Sequence, residues 1–305
     1  MRLGIDLGGT KIEIVALDGS RVVLRERVPT PQTVYDDTIR AMRDLVHAAD
    51  AKLGRLGTVG VAIPGTISRN TGLVKNANST RLIGHPLDRD LTMAVGRPVR
   101  VANDANCFAL SEASDGAAAD ADVVFGVIVG TGCGGGVSVG RRVLTGAHGI
   151  AGEWGHNPLP APRPDEIDAA PQCYCGRKGC IEAWISGTGL AADFKRHTGR
   201  DLRGPDIAAA AASGDEAARA AMADFYDRFA RSLSTIVNVL DPDAIVIGGG
   251  LSNIDAIYDE LPARVERYAF TPEGRTRIVK NLHGDSSGVR GAAWLWSEAE
   301  SAAAP

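Results

Sequence analysis

The stretch "GIDLGGTK", Gly4 to Lys11, sets an acidic residue, two adjacent glycines, a threonine and a lysine directly after the first apolar run. Three local structures use such a turn: a dinucleotide-binding unit, a P-loop, or a hairpin that grips phosphate. The first needs G-x-G-x-x-G opening a helix, yet the "TKIEIVAL" that follows Gly8-Gly9 alternates as a strand does. The second needs G-x-x-x-x-G-K-[ST], which cannot be fitted to Gly4, Gly8 or Gly9. A hairpin remains. Its glycines let backbone N–H groups approach phosphate oxygens, and Thr10 and Lys11 add a hydroxyl and a cation. Asp6, ending the first strand, is then a natural partner of Mg²⁺, which prefers oxygen ligands and bridges phosphates; a hydrogen-bonded turn aspartate is the plainer alternative.

Working outward, "GSRVVLRERV" continues as a strand after the Asp18-Gly19 turn, and Ile39, Met42, Leu45 and Val46 fall at helical spacing from Tyr35 to Leu53. "TVGVAIPG" reads as a buried strand, "VRVANDAN" as a strand running onto a polar cluster, and Ala105 to about Ala118 as a helix. The pattern then restarts: "VVFGVIVG" is a strand, "TGCGGG" a turn and "VSVGRRVLTG" its partner strand. Asp6–Val15 and Gly130–Val139 thus share strand, glycine–threonine turn and strand, suggesting a duplicated domain with a ligand between the copies. Further on, Met222, Phe225, Phe229, Leu233, Ile236, Val237 and Leu240 mark one face of a long amphipathic helix that stops at Asp241-Pro242. "AIVIGGGLS" then gives a buried strand and a third glycine loop at the mouth of a helix. Three such loops together point to a nucleoside triphosphate.

Two clusters carry chemistry. In "ANDAN", Asn103 and Asp104 lie between a strand and a helix. That is a helix cap, or, in a kinase, a carboxylate placed to accept the proton of a sugar hydroxyl. "GEWGHNPL" followed by "CYCGRKGCIE" gives His156, Cys173, Cys175 and Cys180 the pattern H-x₁₆-C-x-C-x₄-C. This is a closed Cys₃His set of the kind structural zinc prefers, and C-x-C does not supply a thioredoxin-like C-x-x-C. The metal would pin a loop carrying Glu153, His156 and Glu182, whose side chains could meet sugar hydroxyls, and the imidazole nitrogen not bound to metal would be left to donate. The remaining thiols, Cys107 and Cys133, are expected to be buried.

At 305 residues, 44% hydrophobic and 23% charged, the chain has room for two domains. A net charge of −4 argues against nucleic acid as a partner, and five cysteines, three of them clustered, argue against a secreted disulfide framework. With no membrane-length apolar run and no leader pattern ahead of the first strand, a cytoplasmic location without membrane partners is expected.

"DLGGTK", "NDAN", "GTGCGGG", "GEWGHNPL", "CYCGRKGCIE" and "GGGLS", in that order over essentially the whole chain, resemble the ROK family (repressors, open reading frames and kinases) of bacterial sugar kinases. "VKNANSTRL", "VANDANC", "ISGTG" and "HGDSSGVRGAAWLW" are most similar to its fructokinase, or manno(fructo)kinase, branch. The resemblance implies an α/β protein of the actin-like ATPase (ribonuclease H-like) fold, two mixed-sheet domains around a central cleft. Residues 1–117 plus 286–305 would form one lobe and 118–285 the other. It implies ATP, Mg²⁺ and structural Zn²⁺ as cofactors, a homodimer, and transfer of phosphate from ATP to fructose, with mannose, glucose or an N-acetylhexosamine as rival hexoses. On this reading Asp104 is the general base, and Gly65, Asn78, Asn103, Glu153, His156 and Glu182 contact sugar. Asp6, Gly8, Gly9, Thr10, Lys11, Thr131, Gly132, Gly249 and Gly250 would serve Mg-ATP, and His156, Cys173, Cys175 and Cys180 the zinc. A sugar-sensing repressor would carry a helix-turn-helix domain ahead of "DLGGTK", where Asp6 leaves no room. The proline-rich, acidic "PLPAPRPDEIDAAPQ" between His156 and Cys173 is expected to be loop, and the tail "SEAESAAAP" to fray.

Overall fold

The computed structural model describes residues 1–303 apart from Asn78 and Pro272, and only the backbone at Asp285. Two compact units form: Met1–Asp120 with Gly136–Ala151 and Asp285–Pro305, and Ala121–Gly135 with Gly152–Gly284.

In the first unit, β1 (Arg2–Leu7), β2 (Lys11–Asp18) and β3 (Arg21–Pro29) form an antiparallel meander. Helix α1 (Tyr35–Leu53) crosses to β4 (Thr58–Ile63), which lies parallel to β1. A small hairpin, β5 (Thr66–Ile67) and β6 (Val74–Lys75), and helix α2 (Leu87–Val95) lead to β7 (Val99–Asn103) and helix α3 (Asp104–Ser114). The sheet order is β3-β2-β1-β4-β7. Its register pairs Asp6 with Ala62 and Ile63 with Asn103, so the carboxyl ends of three parallel strands deliver Asp6, Gly65 and Asn103-Asp104 to one edge. α3 starts one residue before the expected Ala105 and ends at Ser114 rather than near Ala118. Asp115 is its C-cap, and its carboxylate is taken by the buried Arg290.

One face of this sheet buries Leu3, Ile5, Ile12, Ile14, Val59 and Val61 against Met42, Leu45 and Val46 of α1. A second sheet follows the same plan: β8 (Val123–Val129), β9 (Cys133–Val139), β10 (Arg142–Val143), β11 (Ala244–Gly248) and β12 (Arg277–Lys280), in the order β10-β9-β8-β11-β12. The helices of the second unit are α4 (Pro164–Asp168), α5 (Ile181–Ile185), α6 (Gly187–Thr198), α7 (Gly204–Ala212), α8 (Glu216–Leu240) and α9 (Ala256–Tyr268). Back in the first unit, α10 (Ser287–Trp294) covers the other face of the first sheet, where Val289 and Ala293 meet Val15 and Leu17. Gly4 serves this contact: a Cβ there would lie 2.6 Å from the Ala293 nitrogen. α11 (Glu298–Ala303) replaces the expected frayed tail. Arg100 stacks 3.8 Å over Trp296 while its guanidinium grips both oxygens of Glu300, and Ser301 Oγ donates to the Met1 carbonyl at 2.7 Å.

"TGCGGG" is only half a turn, because the chain reverses at Gly130–Gly132 and is strand from Cys133. Gly135 is there for close approach, since a Cβ would sit 2.6 Å from Trp154 Cδ1. The insertion after His156 is likewise more than loop. Pro164 opens α4, and Glu166 points inward, its side chain 0% exposed, onto Arg228 (2.9 Å) and Arg231 (2.7 Å) of α8. Two buried arginines thus interrupt the apolar stripe of α8, which otherwise packs through Phe225, Phe229 and Leu233. After β11 the third glycine loop runs into a four-residue 3₁₀ turn, Gly250–Asn253, and α9 begins only at Ala256.

Candidate active site

In the first unit the hairpin turn spends its carbonyls inward. Thr30 Oγ1 donates to the Gly8 carbonyl (2.7 Å), Gln32 Nε2 to that of Gly9 (2.9 Å) and the Thr30 amide to that of Thr10 (3.0 Å). The Gly9 and Thr10 amides have no acceptor among the described residues, so the turn presents donors. Lys11 is half-exposed, 3.9 Å from Glu13, a carboxylate that Arg25 and Arg27 already hold at 2.6 Å each. Such a rim of N–H groups with a cation suits an anion.

Asp6 and Asp104 share that sheet edge. Burial first, then the charges of Asp104 and Glu13, push the Asp6 carboxyl up to about 6 against the pull of Lys11. Crowded negative charge of this kind is what a divalent cation relieves, so the donors fit Mg²⁺. Asn103 does the capping of α3: its Oδ1 accepts from Ala105 (2.9 Å) and Asn106 (3.4 Å), while Nδ2 donates to the Gly65 carbonyl (3.2 Å). Asp104 Oδ1 accepts from Ala105 at 2.8 Å. Its residue is solvent-accessible, yet protein atoms surround the carboxyl closely enough to raise its pKa, an effect that hydrogen bonds from Ala105 and Asn103 partly oppose and that contact with water tempers. Gly65 has φ 94°, and a Cβ there would lie 2.6 Å from the Lys75 carbonyl. Asn78 lies outside the described residues.

The second unit repeats the donor rim. The Gly187 amide binds the Gly130 carbonyl (2.7 Å) and Thr188 Oγ1 the Thr131 carbonyl (2.7 Å), so the start of α6 anchors this turn from behind. Glu182, on α5, accepts from the Cys133 amide at 2.8 Å, and a Cβ on Gly132 would lie 2.7 Å from its Oε2. Glu182 therefore buttresses the turn, a role its place in the cysteine motif did not reveal. Gly249 has φ 82° and would clash with Val129 if it carried a Cβ. Gly250 borders a recess of about 610 Å³ walled by Ala208 and Ala212 of α7, Tyr226 of α8 and Arg264 of α9.

The ligand atoms of His156, Cys173, Cys175 and Cys180 all lie within 4.8 Å of one another. Cys173 Sγ is 3.7 Å from His156 Nδ1, and Cys175 Sγ is 3.6 Å from Cys180 Sγ. A tetrahedron with metal–sulfur bonds of about 2.3 Å has edges of roughly 3.8 Å, so the set fits zinc. Hydrogen bonds, first from the Arg177 backbone N–H, draw the Cys175 thiol down, whereas burial lifts that of Cys180. The loop is pinned elsewhere too, by Leu159 N to Gly179 O (2.9 Å), Ile181 N to Asn157 O (2.8 Å), and Trp154, buried edge-on to Phe125 with Nε1 on the Gly134 carbonyl. The sequence reading left the imidazole nitrogen not bound to metal to donate to a hydroxyl; with Nδ1 beside Cys173 that nitrogen is Nε2, and the Tyr174 hydroxyl stands 3.0 Å from it. Burial, then Glu182 and Glu153, push that phenol up to about 12. Tyr174 and Thr188 lie inside the stretches "CYCGRKGCIE" and "ISGTG" but were given no role there; the flanking cysteines and the short reach from Glu182 to α6 were the available signals.

The strand plan of the two sheets is that of the actin-like ATPase fold. The chain belongs to the ROK family, whose model matches residues 2–299. It is 42% identical over 299 residues to an N-acetyl-D-glucosamine kinase of Pectobacterium atrosepticum, covering 97% of this chain and 98% of that one. A Salmonella gallinarum N-acetyl-D-glucosamine kinase is 41% identical over 305 residues, with 97% and 99% covered. Among solved structures, a ROK hexokinase from Thermus thermophilus superposes with a TM-score of 0.84 at 31% identity, covering 96% of this chain and 97% of that one. A Streptomyces griseus ROK glucokinase in complex with glucose and AMPPNP gives 0.74 at 28%, covering 96% and 98%. Among the described residues no helix is long and apolar enough to cross a membrane.

Proposed function

We propose that the protein is an ATP-dependent sugar kinase whose substrate is an N-acetylhexosamine, N-acetyl-D-glucosamine first. The observation that carries this is the 42% identity to an N-acetyl-D-glucosamine kinase over nearly the full length of both chains. The motif resemblance pointed to fructose instead; the identities favour what was there the rival.

The two donor rims, Gly8–Lys11 and Gly130–Gly132, take the phosphates of ATP, and the recess beside Gly250 takes its nucleoside. Asp6 is the group for Mg²⁺, which when bound neutralises phosphate charge. Gly65, Asn78, Asn103, Glu153, His156 and Glu182 bind the sugar hydroxyls, and His156 with the three cysteines holds zinc, which braces that loop. Asp104 accepts the proton of the sugar's primary hydroxyl as its oxygen attacks the γ-phosphorus and ADP leaves. A raised pKa suits that task, because a more basic carboxylate takes the proton more readily. Positioning and charge neutralisation supply the rest.

The test is ADP release by purified enzyme with Mg²⁺ and ATP over N-acetylglucosamine, N-acetylmannosamine, fructose, mannose and glucose. The highest kcat/KM is expected with N-acetylglucosamine. A fructose optimum would return the assignment to the motif reading, and no turnover with any sugar would remove the kinase.

A further inference from the structure

Tyr174 sits between two of the cysteines of the candidate zinc site, on a turn closed by Gly176 N to Cys173 O (3.0 Å) and Cys173 N to Arg177 O (2.8 Å). The residue is 76% exposed, so it contributes little to the core. It stands edge-on to the His156 imidazole, centroids 5.1 Å apart at 84°, with its hydroxyl 3.0 Å from Nε2. His156 Nδ1 is the nitrogen turned toward Cys173, so a metal on Nδ1 leaves the proton on Nε2, which then donates to the tyrosine oxygen. One N–H serves one good acceptor, and a sugar hydroxyl reaching His156 meets a donor already in use.

We infer that Tyr174 caps His156: its hydroxyl holds the Nε2 donor while the site is empty, and a sugar hydroxyl displaces it on binding. This rests on the reading of His156 as a sugar contact. Tyr174 is then an internal competitor that sets sugar affinity without touching phosphoryl transfer. The exposed ring has open solvent to swing into, while the cysteines on either side keep its backbone in place.

The experiment compares zinc-loaded wild type with Tyr174→Phe, each with zinc content measured, by calorimetric titration with N-acetyl-D-glucosamine and by ¹⁵N-histidine NMR of Nε2. Phenylalanine keeps the ring and removes the competing oxygen. Sugar is expected to bind roughly three- to tenfold tighter to Tyr174→Phe, the worth of one neutral hydrogen bond, with the KM for ATP unchanged. The Nε2 resonances of the two proteins should differ without sugar and coincide with it. Equal or weaker binding by the variant, with Nε2 still responding to sugar, overturns the cap and leaves His156 as a sugar contact. An Nε2 resonance that sugar moves in neither protein overturns both readings.

Discussion

Replacing Glu166 by glutamine removes one buried charge and almost no volume. The carboxylate, 0% exposed, faces Arg228 (3% exposed) and Arg231 (4% exposed) and also accepts from the Arg163 amide at 2.8 Å. Burial alone would raise its pKa, but Arg231, the Arg163 amide and Arg228 hold it at about 2, against 4.5 for a free glutamate. At about 1.4 kcal/mol per tenfold in proton affinity, that difference is about 3 kcal/mol of stability at neutral pH. An independent route agrees, because breaking one side of a buried ion pair costs about 3–5 kcal/mol. In a unit of this size the expected fall in Tm is about 6–12 °C. Because the folded pKa is depressed, the contribution is whole above about 4.5 and fades as pH falls toward 2. Urea titrations followed by Trp184, which lies 4.4 Å under the Arg228 guanidinium, should show the wild-type advantage at pH 7 shrinking by pH 3. An advantage under 1 kcal/mol at pH 7, or one undiminished at pH 3, would refute the account.

Asp104→Asn should leave folding and sugar binding intact, since Asn103 does the capping, while kcat drops by about a hundredfold or more, the usual loss with a general base; near-normal turnover removes Asp104 from that role. Cys175→Ser should lower zinc content, read by atomic absorption, and weaken sugar affinity before ATP affinity, and full zinc occupancy in that variant would break the four-ligand assignment. Thr188→Val deletes the 2.7 Å bond to the Thr131 carbonyl and should raise the KM for ATP about fivefold with little change for sugar, an unaltered ATP KM counting against the anchored turn.

The hairpin at Gly8–Lys11, the helix over Tyr35–Leu53 and the carboxylate opening α3 were all legible because each rests on local rules: strand alternation, helical spacing, a cap before an apolar run. So was the Cys₃His set, whose spacing is a property of the chain and whose ligands the structure brings together. Long-range packing was not. Gly135 looks like a turn glycine in sequence, and nothing local says why the strand at Gly4 needs a glycine; both are strand positions kept bare of a side chain by an indole and a helix that lie elsewhere in the chain. Arg228 and Arg231 look like solvent-facing charges until Glu166, more than sixty residues earlier, is folded against them. The tail looked frayed because it lies at a terminus, and its helix is ordered by partners at Met1 and Arg100 that no local window contains.

The seating of α10 against Gly4 orders events during synthesis. Residues of the second unit, Ala121–Gly135 and Gly152–Gly284, are all translated before α10. The opening strands, made first, must wait for it with Val15 and Leu17 uncovered. A chain stalled or cut short before Ser287 would hold one unit able to finish and one with an open apolar face, which is the kind of surface chaperones hold and proteases find. Quality control of this protein is thereby set by the segment from Ser287 onward, although it contributes none of the groups placed at the candidate active site.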